Sequence, residues 1–222
     1  MATEKLKNIR ITPRDQELLT WINAAGFVSN DHISMWLGVA TQTAYRRTRL
    51  LVQHQYLRHE KVLANEKGVY TATLNAKYLC GFNVPLLKKF PLGSFKHDLL
   101  VTSVCLSLAK QHHCSYTTER ELRHEKGQEG VGIRGHTADG ILHLTNDKDY
   151  AIEVELNAKG LARREKIMKH YQRSFAFEEV WYFCGSTRIA KHMVSYKSKL
   201  PFLKVFLLTK KNVSDIAWEV FE

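Results

Sequence analysis

Apolar side chains recur at helical spacing soon after the start of the chain. Thr12 and Pro13 suit the N-cap and the first turn of a helix. The apolar stripe that follows consists of Leu18, Leu19 and Ile22. We therefore predict a first helix that begins after Thr12 and ends near Gly26.

A second, shorter helix is predicted directly afterwards. Ser29 or Asn30 can cap it and Gly38 can close it. Its core-facing positions are Ile33, Trp36 and Leu37.

The third predicted helix has one apolar side and one basic side. We expect Thr41 to cap it, with Ala44, Thr48 and Leu51 facing the core at helical spacing. The positions left for solvent or DNA are Gln42, Thr43, Arg46, Arg47 and Arg49.

A β-hairpin is predicted after the three helices. Residues 56–63 and 69–73 read as strands, and Asn65, Glu66, Lys67 and Gly68 supply a four-residue turn. Three helices followed by a hairpin define a winged helix-turn-helix. A short helix over residues 74–80, stopped by Gly81, completes this region.

Pro85 and Pro91 mark residues 83–93 as a linker. We therefore predict two domains, over residues 1–82 and 94–222. The second begins with an amphipathic helix and continues through alternating and apolar segments. In order, its predicted elements are a helix at 94–111, strands at 115–122, 138–144 and 150–156, a basic helix at 159–173, and strands at 180–184 and 203–208. The fold class is thus α+β or α/β, with an αβββαβ core after the winged helix.

The charge of the chain indicates a polyanionic partner. Lys and Arg number 33 against 22 acids, a net charge of +11. Residues 1–90 carry a net +7 and residues 91–222 a net +4. Because no apolar run is long enough to span a membrane and residues 1–14 contain no signal-type segment, we expect no membrane partner and a cytoplasmic location.

The third helix is the candidate DNA-reading element. An α-helix fits the major groove, where Arg and Gln side chains reach base edges. Gln42 and Arg46 are the predicted base readers, and Lys67 in the wing is a predicted phosphate contact. The alternative is that this basic run is simply a solvated helical face.

Three short segments resemble the replication-relaxation family of plasmid and mobile-element proteins. They are residues 12–57, the run Val69-Tyr70-Thr71-Ala72-Thr73-Leu74 leading to Gly81, and the run Phe95-Lys96-His97-Asp98-Leu99-Leu100-Val101. The resemblance implies a winged-helix DNA binder fused to a restriction-endonuclease-like domain. It also implies a role in plasmid replication, transfer or their regulation.

Three carboxylates are predicted to converge in the second domain. Asp139 begins one strand, and Glu153 and Glu155 lie on one face of the next strand. The opposite, core-facing positions are Ile152, Val154 and Leu156.

This arrangement resembles the PD-(D/E)xK nuclease core, in which two acids, here Asp139 and Glu153, hold Mg²⁺ or Mn²⁺. A lysine two residues after the second acid helps to position the attacking water in that core. Here Ala138 stands where proline is expected and Glu155 where lysine is expected. Lys159 is the substitute amine if catalysis is retained. The alternative is that the Asp139 region is a turn and the two glutamates line a solvated strand face.

The basic helix of the second domain carries Arg163, Lys166, His170 and Arg173 at spacings of three, four and three. Such a face either holds a phosphate backbone or is a soluble exterior.

Three functions are compatible with these patterns. The first is a non-enzymatic, site-specific binder of double-stranded DNA, needing no cofactor, in transcription regulation, replication or mobilisation. The second is a Mg²⁺-dependent endonuclease that uses Asp139, Glu153, Glu155 and Lys159. The third is an assembly factor that recruits a relaxase or a replication protein. A homodimer is compatible with each.

Overall fold

The computed structural model describes residues 9–127, 136–144, 147–174, 176–213 and 215–222. Their contacts divide the chain into two units, Met1–Leu92 and Gly93–Glu222. Across the described residues the fold mixes α-helices with β-strands.

The described helices of the first unit are α1 (Pro13–Ala25), α2 (Asn30–Leu37), α3 (Thr41–Gln53) and α4 (Leu74–Cys80). The side chains of Thr12, Ser29 and Thr73 cap α1, α2 and α4 by accepting backbone N–H bonds. Three helices end at glycines with positive φ, namely Gly26, Gly38 and Gly81. The prediction that Thr41 caps α3 is wrong, because Ala40 holds the N-cap position and supplies no side-chain bond.

A small antiparallel sheet packs beside these helices. Its strands are β1 (Val28–Ser29), β2 (Leu57–Glu60) and β3 (Val69–Ala72), in the order β1-β3-β2. Glu60 pairs with Val69, so the hairpin loop spans residues 61–68 and is longer than the predicted four residues. A Cβ added at Gly68 would lie 2.2 Å from the Nε2 atom of His59, so a larger residue there would displace the imidazole ring.

The core of the first unit lies between the three helices and this sheet. Leu18, Ile22, Ile33 and Leu51 are fully buried in it, as the apolar stripes predict. The start of the predicted linker joins the same core, because Val84 is 8% exposed and its carbonyl accepts a hydrogen bond from Asn23.

The second unit is built on a six-stranded mixed sheet. Its described helices are α5 (Phe95–His112), α6 (Glu119–Glu125), α7 (Leu161–Arg173) and α8 (Thr187–Val194). Its strands are β4 (Ser115–Thr118), β5 (Gly140–His143), β6 (Asp149–Glu155), β7 (Glu179–Cys184), β8 (Leu203–Asn212) and β9 (Asp215–Val220). The strands lie side by side in sequence order. The pairs β6–β7 and β7–β8 are parallel, and the other three pairs are antiparallel.

Three elements of this unit differ from the sequence prediction. The expected strand at 115–122 is wrong in its second half, because β4 ends at Thr118 and a capping box between Thr118 and Glu121 starts α6 there. The helix α8 and the strand β9 were not predicted. Of the expected loop at 125–135, Glu125 closes α6, and residues 128–135 lie outside the described residues.

The sheet of the second unit is covered on both faces. The helix α5 packs on one face, against Leu142 and Ile152, while α7 and α8 pack on the other, against Ala151 and Tyr182. The strand β6 is therefore buried on both sides. At one point the contact with α5 is very close, because a Cβ added at Gly140 would lie 2.8 Å from the Sγ atom of Cys105.

Candidate functional site

The α2–α3 corner of the first unit is held by polar contacts at its turn. Only residues 38–40 separate the two helices. Within the turn, the Ser34 hydroxyl donates to the Val39 carbonyl at 2.6 Å. Across it, the Asn30 side-chain amide donates to the Thr41 carbonyl at 3.0 Å. The guanidinium of Arg14 donates to the Leu37 carbonyl from α1. These bonds fix where α3 begins relative to α1 and α2.

The outer face of α3 carries four of the five predicted DNA contacts in exposed positions. They are Gln42, Thr43, Arg46 and Arg49. The aromatic ring of Tyr45 lies among them and is 46% exposed. Since Ala44, Thr48 and Leu51 are fully buried on the other side, this helix presents a polar, cationic surface on a rigid base.

Arg47 lies on the same helix but is engaged inside the unit. Its Nε donates to Oδ1 of Asp15 at 2.7 Å and its Nη2 to Oδ2 at 2.5 Å. Nη2 also donates to the Arg10 carbonyl at 2.9 Å. Burial raises the pKa of Asp15, but the bonds from Arg47 and Thr12 outweigh it and lower that pKa overall. The prediction that Arg47 faces solvent or DNA is therefore wrong, because its guanidinium is bonded to Asp15.

Lys67 in the hairpin loop forms an ion pair with the second helix. Its Nζ lies 2.7 Å from Oδ2 of Asp31, while the Lys67 side chain remains 73% exposed. The contact holds the loop against α2 and leaves the ammonium accessible to solvent.

The second unit brings the three predicted carboxylates to one region, but not onto a solvated face. Glu153 and Glu155 are each 1% exposed, under the cover of α7, so the alternative of a solvent-lined strand is wrong. The alternation in β6 correctly placed them on one side of the strand. It did not show that a second layer buries that side.

Glu153 is held by two donors. The Tyr171 hydroxyl donates to its Oε1 at 2.5 Å, and His136 Nε2 lies 2.7 Å from the same oxygen. Burial raises the pKa of Glu153, and the charge of Asp139 raises it further, against an opposing effect of His136. The Glu153 carboxyl group is therefore a weaker acid than an ordinary glutamate, and it is hydrogen-bonded to Tyr171 and His136.

Glu155, at the position where a nuclease lysine is expected, is also fully engaged. The Tyr182 hydroxyl donates to Oε2, and the Lys159 backbone N–H donates to Oε1 at 2.7 Å. The Lys159 ammonium lies 3.7 Å from Oε2. Lys159 therefore approaches the carboxylates from the start of the following helix, as the sequence suggested.

Asp139 is linked to α5 by a histidine that the sequence reasoning did not assign to this site. Oδ2 of Asp139 accepts the Val154 N–H at 2.8 Å and lies 3.5 Å from Nε2 of His97. His97 also contacts the Val154 carbonyl at 2.9 Å and Oδ1 of Asp98 at 3.2 Å.

His97 is a cation at neutral pH. Burial lowers its pKa, but the bonds to Asp139 and Asp98 outweigh that effect and raise the pKa to about 11. A positive charge thus stands beside Asp139, supplied by the first turn of α5. The sequence did contain a signal for this role of His97, namely an adjacent histidine and aspartate in the first turn of a helix.

The three carboxylates are bonded to donors within the unit and depart from the nuclease pattern. Oδ2 of Asp139, Oε1 of Glu153 and both oxygens of Glu155 accept bonds from hydroxyl, imidazole or backbone donors. Mg²⁺ demands near-octahedral geometry with free oxygen ligands, and the amine of the nuclease pattern is replaced by a third acid. Among the described residues, no group of three or more His, Cys, Asp or Glu side chains is arranged to hold a metal ion.

The helix α7 carries cations on both of its sides. Arg163, Lys166 and Arg173 are exposed, as a phosphate-facing or solvent-facing surface requires. Arg164 is different, because it is 9% exposed and belongs to the buried side of the helix. The sequence reasoning did not single out Arg164.

No protein-family model, curated protein or solved structure matches the chain. None of the helices in the described ranges is long and apolar enough to cross a membrane.

Proposed function

We propose that the chain is a site-specific binder of double-stranded DNA, with a winged helix-turn-helix as its first unit. The observation that carries this proposal is the outer face of α3. Gln42, Thr43, Arg46 and Arg49 are exposed together on a helix whose opposite side is buried.

The geometry of α3 suits entry into the major groove. Gln42 and Arg46 are four residues apart and so project from one side of the N-terminal half, where recognition helices contact bases. Arg49 is exposed on the next turn, and its proposed partner is a phosphate. Arg47 is left out of this contact set, because Asp15 occupies its guanidinium.

The hairpin β2–β3 acts as the wing, with Lys67 as its phosphate contact. An exposed ammonium adds sequence-independent attraction to the DNA backbone. The net charge of +7 on residues 1–90 has the same effect.

The second unit is a restriction-endonuclease-like domain that has lost catalysis. The order of its helices and strands agrees with the αβββαβ pattern if α6 is treated as an insertion after β4. Asp139 and Glu153 hold the positions of the metal-binding acids, but one oxygen of each already accepts a bond within the unit and Glu155 replaces the lysine. This unit contributes backbone affinity through Arg163, Lys166 and Arg173, or a protein contact.

The biological setting follows from the resemblance to the replication-relaxation family. The proposed role is regulation of transcription, replication or mobilisation of a plasmid or other mobile element, in the cytoplasm. A relaxase or a replication protein is the partner that such a role implies, and a homodimer would read a palindromic site.

The test is selection of duplexes from a random pool, followed by binding titrations with the full chain. Arg46→Ala and Gln42→Ala are expected to weaken binding to the selected site. Lys191→Ala removes an exposed charge from α8 and is expected to leave that affinity unchanged. Failure to enrich any sequence, or equal losses in all three variants, would reject reading by α3.

A further inference from the structure

The side chain of Arg164, on α7, is buried, and two of its nitrogens have no hydrogen-bond partner among the described residues. It is 9% exposed, and within the described part of the chain its Nε and Nη1 atoms are buried and make no hydrogen bond. Burial of a guanidinium is strongly unfavourable unless an anion or an acceptor compensates its charge. An anion that is not part of the chain would supply that compensation.

The position of Arg164 follows from the buried face that it shares with Ile167, Met168 and Tyr171. Tyr171 bonds to Glu153 and so marks the point where α7 crosses the middle of β6. Arg164 lies seven residues earlier, roughly 10 Å along the helix axis. It therefore faces the sheet where β6 and β7 end and α7 begins.

The start of α7 is itself suited to an anion. Gly160 is the N-cap and has no side chain that could bond to the first N–H groups, and the first turn contains no acid. These N–H groups and the positive end of the helix dipole point toward the carboxyl ends of the strands. In sheets with parallel strands this edge is the usual location of bound ligands.

Two lysines lie at the same edge. Lys159 directly precedes Gly160, the N-cap of the helix, and the Lys211 ammonium donates to the carbonyl of Gly185, just after β7. Lys159 faces Glu155, whose oxygens accept from Tyr182 and from the Lys159 backbone N–H, and its charge also acts on Glu153. Both glutamates already accept hydrogen bonds within the unit, whereas two guanidinium nitrogens of Arg164 have no partner among the described residues.

We propose that the N-terminus of α7, with Arg164 and Lys159, binds a phosphate group. The planar fork of a guanidinium matches phosphate oxygens, and backbone N–H groups at a helix start complete such sites. The site is separate from the α3 face and does not depend on the reading of DNA bases. Its phosphate comes either from the DNA backbone or from a free phosphate or phosphomonoester.

The first experiment is calorimetric titration of the full chain with inorganic phosphate at constant ionic strength. Arg164→Met is expected to weaken binding by about tenfold or more, because it removes the charged fork. Lys169→Ala removes an exposed charge from the same helix, away from its first turn, and is the matched control, with less than about a threefold effect expected.

Thermal unfolding in chloride buffer provides a second readout on the same variants. Arg164→Met removes an uncompensated buried charge, so its unfolding temperature without phosphate is expected to rise and its response to phosphate to vanish. Lys159→Ala is a second variant expected to weaken phosphate binding. Phosphate binding at native strength in both Arg164→Met and Lys159→Ala, or no binding by the native chain, would overturn the proposal.

Titration with a random duplex at several salt concentrations separates the two sources of phosphate. If the DNA backbone is the source, Arg164→Met lowers the salt slope by about one and free phosphate competes with the duplex. If the source is a free phosphate or phosphomonoester, duplex affinity is unchanged while phosphate binding is lost. Arg46→Ala is expected to weaken DNA binding and to leave phosphate binding intact. Failure of the α3 proposal is therefore distinguishable from failure of the phosphate proposal.

Discussion

Asp15 of α1 and Arg47 of α3 form a two-point ion pair, with N–O distances of 2.7 and 2.5 Å. The Asp15 side chain is 7% exposed and that of Arg47 is 28% exposed. One arginine of the basic helix thus ties α3 to α1, while its neighbour Arg46 is exposed on the outer face.

Arg47→Ala is expected to destabilise the protein by about 2 kcal/mol, because a buried carboxylate loses its charged hydrogen-bond donor. Urea denaturation at neutral pH measures the change. Arg46→Ala is the matched control and should leave the free energy of unfolding within about 0.5 kcal/mol of the native value. Equal destabilisation by both variants would contradict the assignment of Arg47, and not Arg46, to an ion pair that stabilises the fold.

The same pair predicts a dependence on acid. Because the pKa of Asp15 is lowered in the folded protein, its contribution to stability is present above the ordinary value of 3.8 and is lost as the pH falls below it. Asp15→Asn is expected to flatten this part of the stability curve between neutral pH and about pH 3. If the free energy of unfolding of Asp15→Asn falls with pH as steeply as that of the native chain, other groups cause the acid sensitivity.

Arg46→Ala and Arg49→Ala are expected to differ in how they weaken DNA binding. Loss of a base contact by Arg46 should cost about 1–3 kcal/mol on the preferred site and little on random duplex. Loss of a phosphate contact by Arg49 should weaken binding to every sequence and lower the salt slope by about one. Equal loss on both duplexes would make Arg46 a phosphate contact instead.

His97 is expected to make the second unit sensitive to alkali. Its pKa is raised to about 11, so the stability it contributes is complete below the ordinary value of 6.5 and is lost as the pH rises toward 11. Chemical denaturation at pH 7 and pH 9 should show a fall in the native chain and a smaller fall in His97→Gln. The exposed His192 is the control, since His192→Gln should keep the native pH dependence.

Purified protein is expected not to nick supercoiled plasmid in Mg²⁺ or Mn²⁺. A carboxyl group, Glu155, stands where a nuclease has an amine, and one oxygen each of Asp139 and Glu153 already accepts a hydrogen bond within the unit. Asp139→Asn should therefore leave DNA binding unchanged. Nicking that EDTA abolishes, and that both Asp139→Asn and Lys159→Ala remove, would make the protein an enzyme.

The sequence predicted those elements that local signals specify. Caps such as Thr12 and Ser29 and the stops at Gly26 and Gly38 placed α1 and α2 closely. The two-residue strand β1 was missed, because it exists only through its pairing with β3. The box between Thr118 and Glu121 was readable in the sequence, yet the β-branched run before it favoured a longer strand.

The candidate sites were predictable in position but not in environment. Alternation placed Glu153 and Glu155 on one face of β6, but their burial depends on α7, which packs there only in the tertiary structure. Helical spacing likewise separated the buried and exposed sides of α3, while the partner of Arg47 lies 32 residues away and has no local signal. Arg164 could have been noticed, since it shares a helix side with Ile167, Met168 and Tyr171.

The close approach of Cys105 to Gly140 restricts how relatives of this chain can vary. A methyl group at position 140 would lie within 2.8 Å of the sulfur, so a larger residue there requires a smaller one at position 105. The two positions should therefore change together across an alignment of homologues, although 35 residues separate them. A lineage that kept cysteine at 105 while placing alanine or serine at 140 would have had to move α5 away from the sheet, together with His97 at its start.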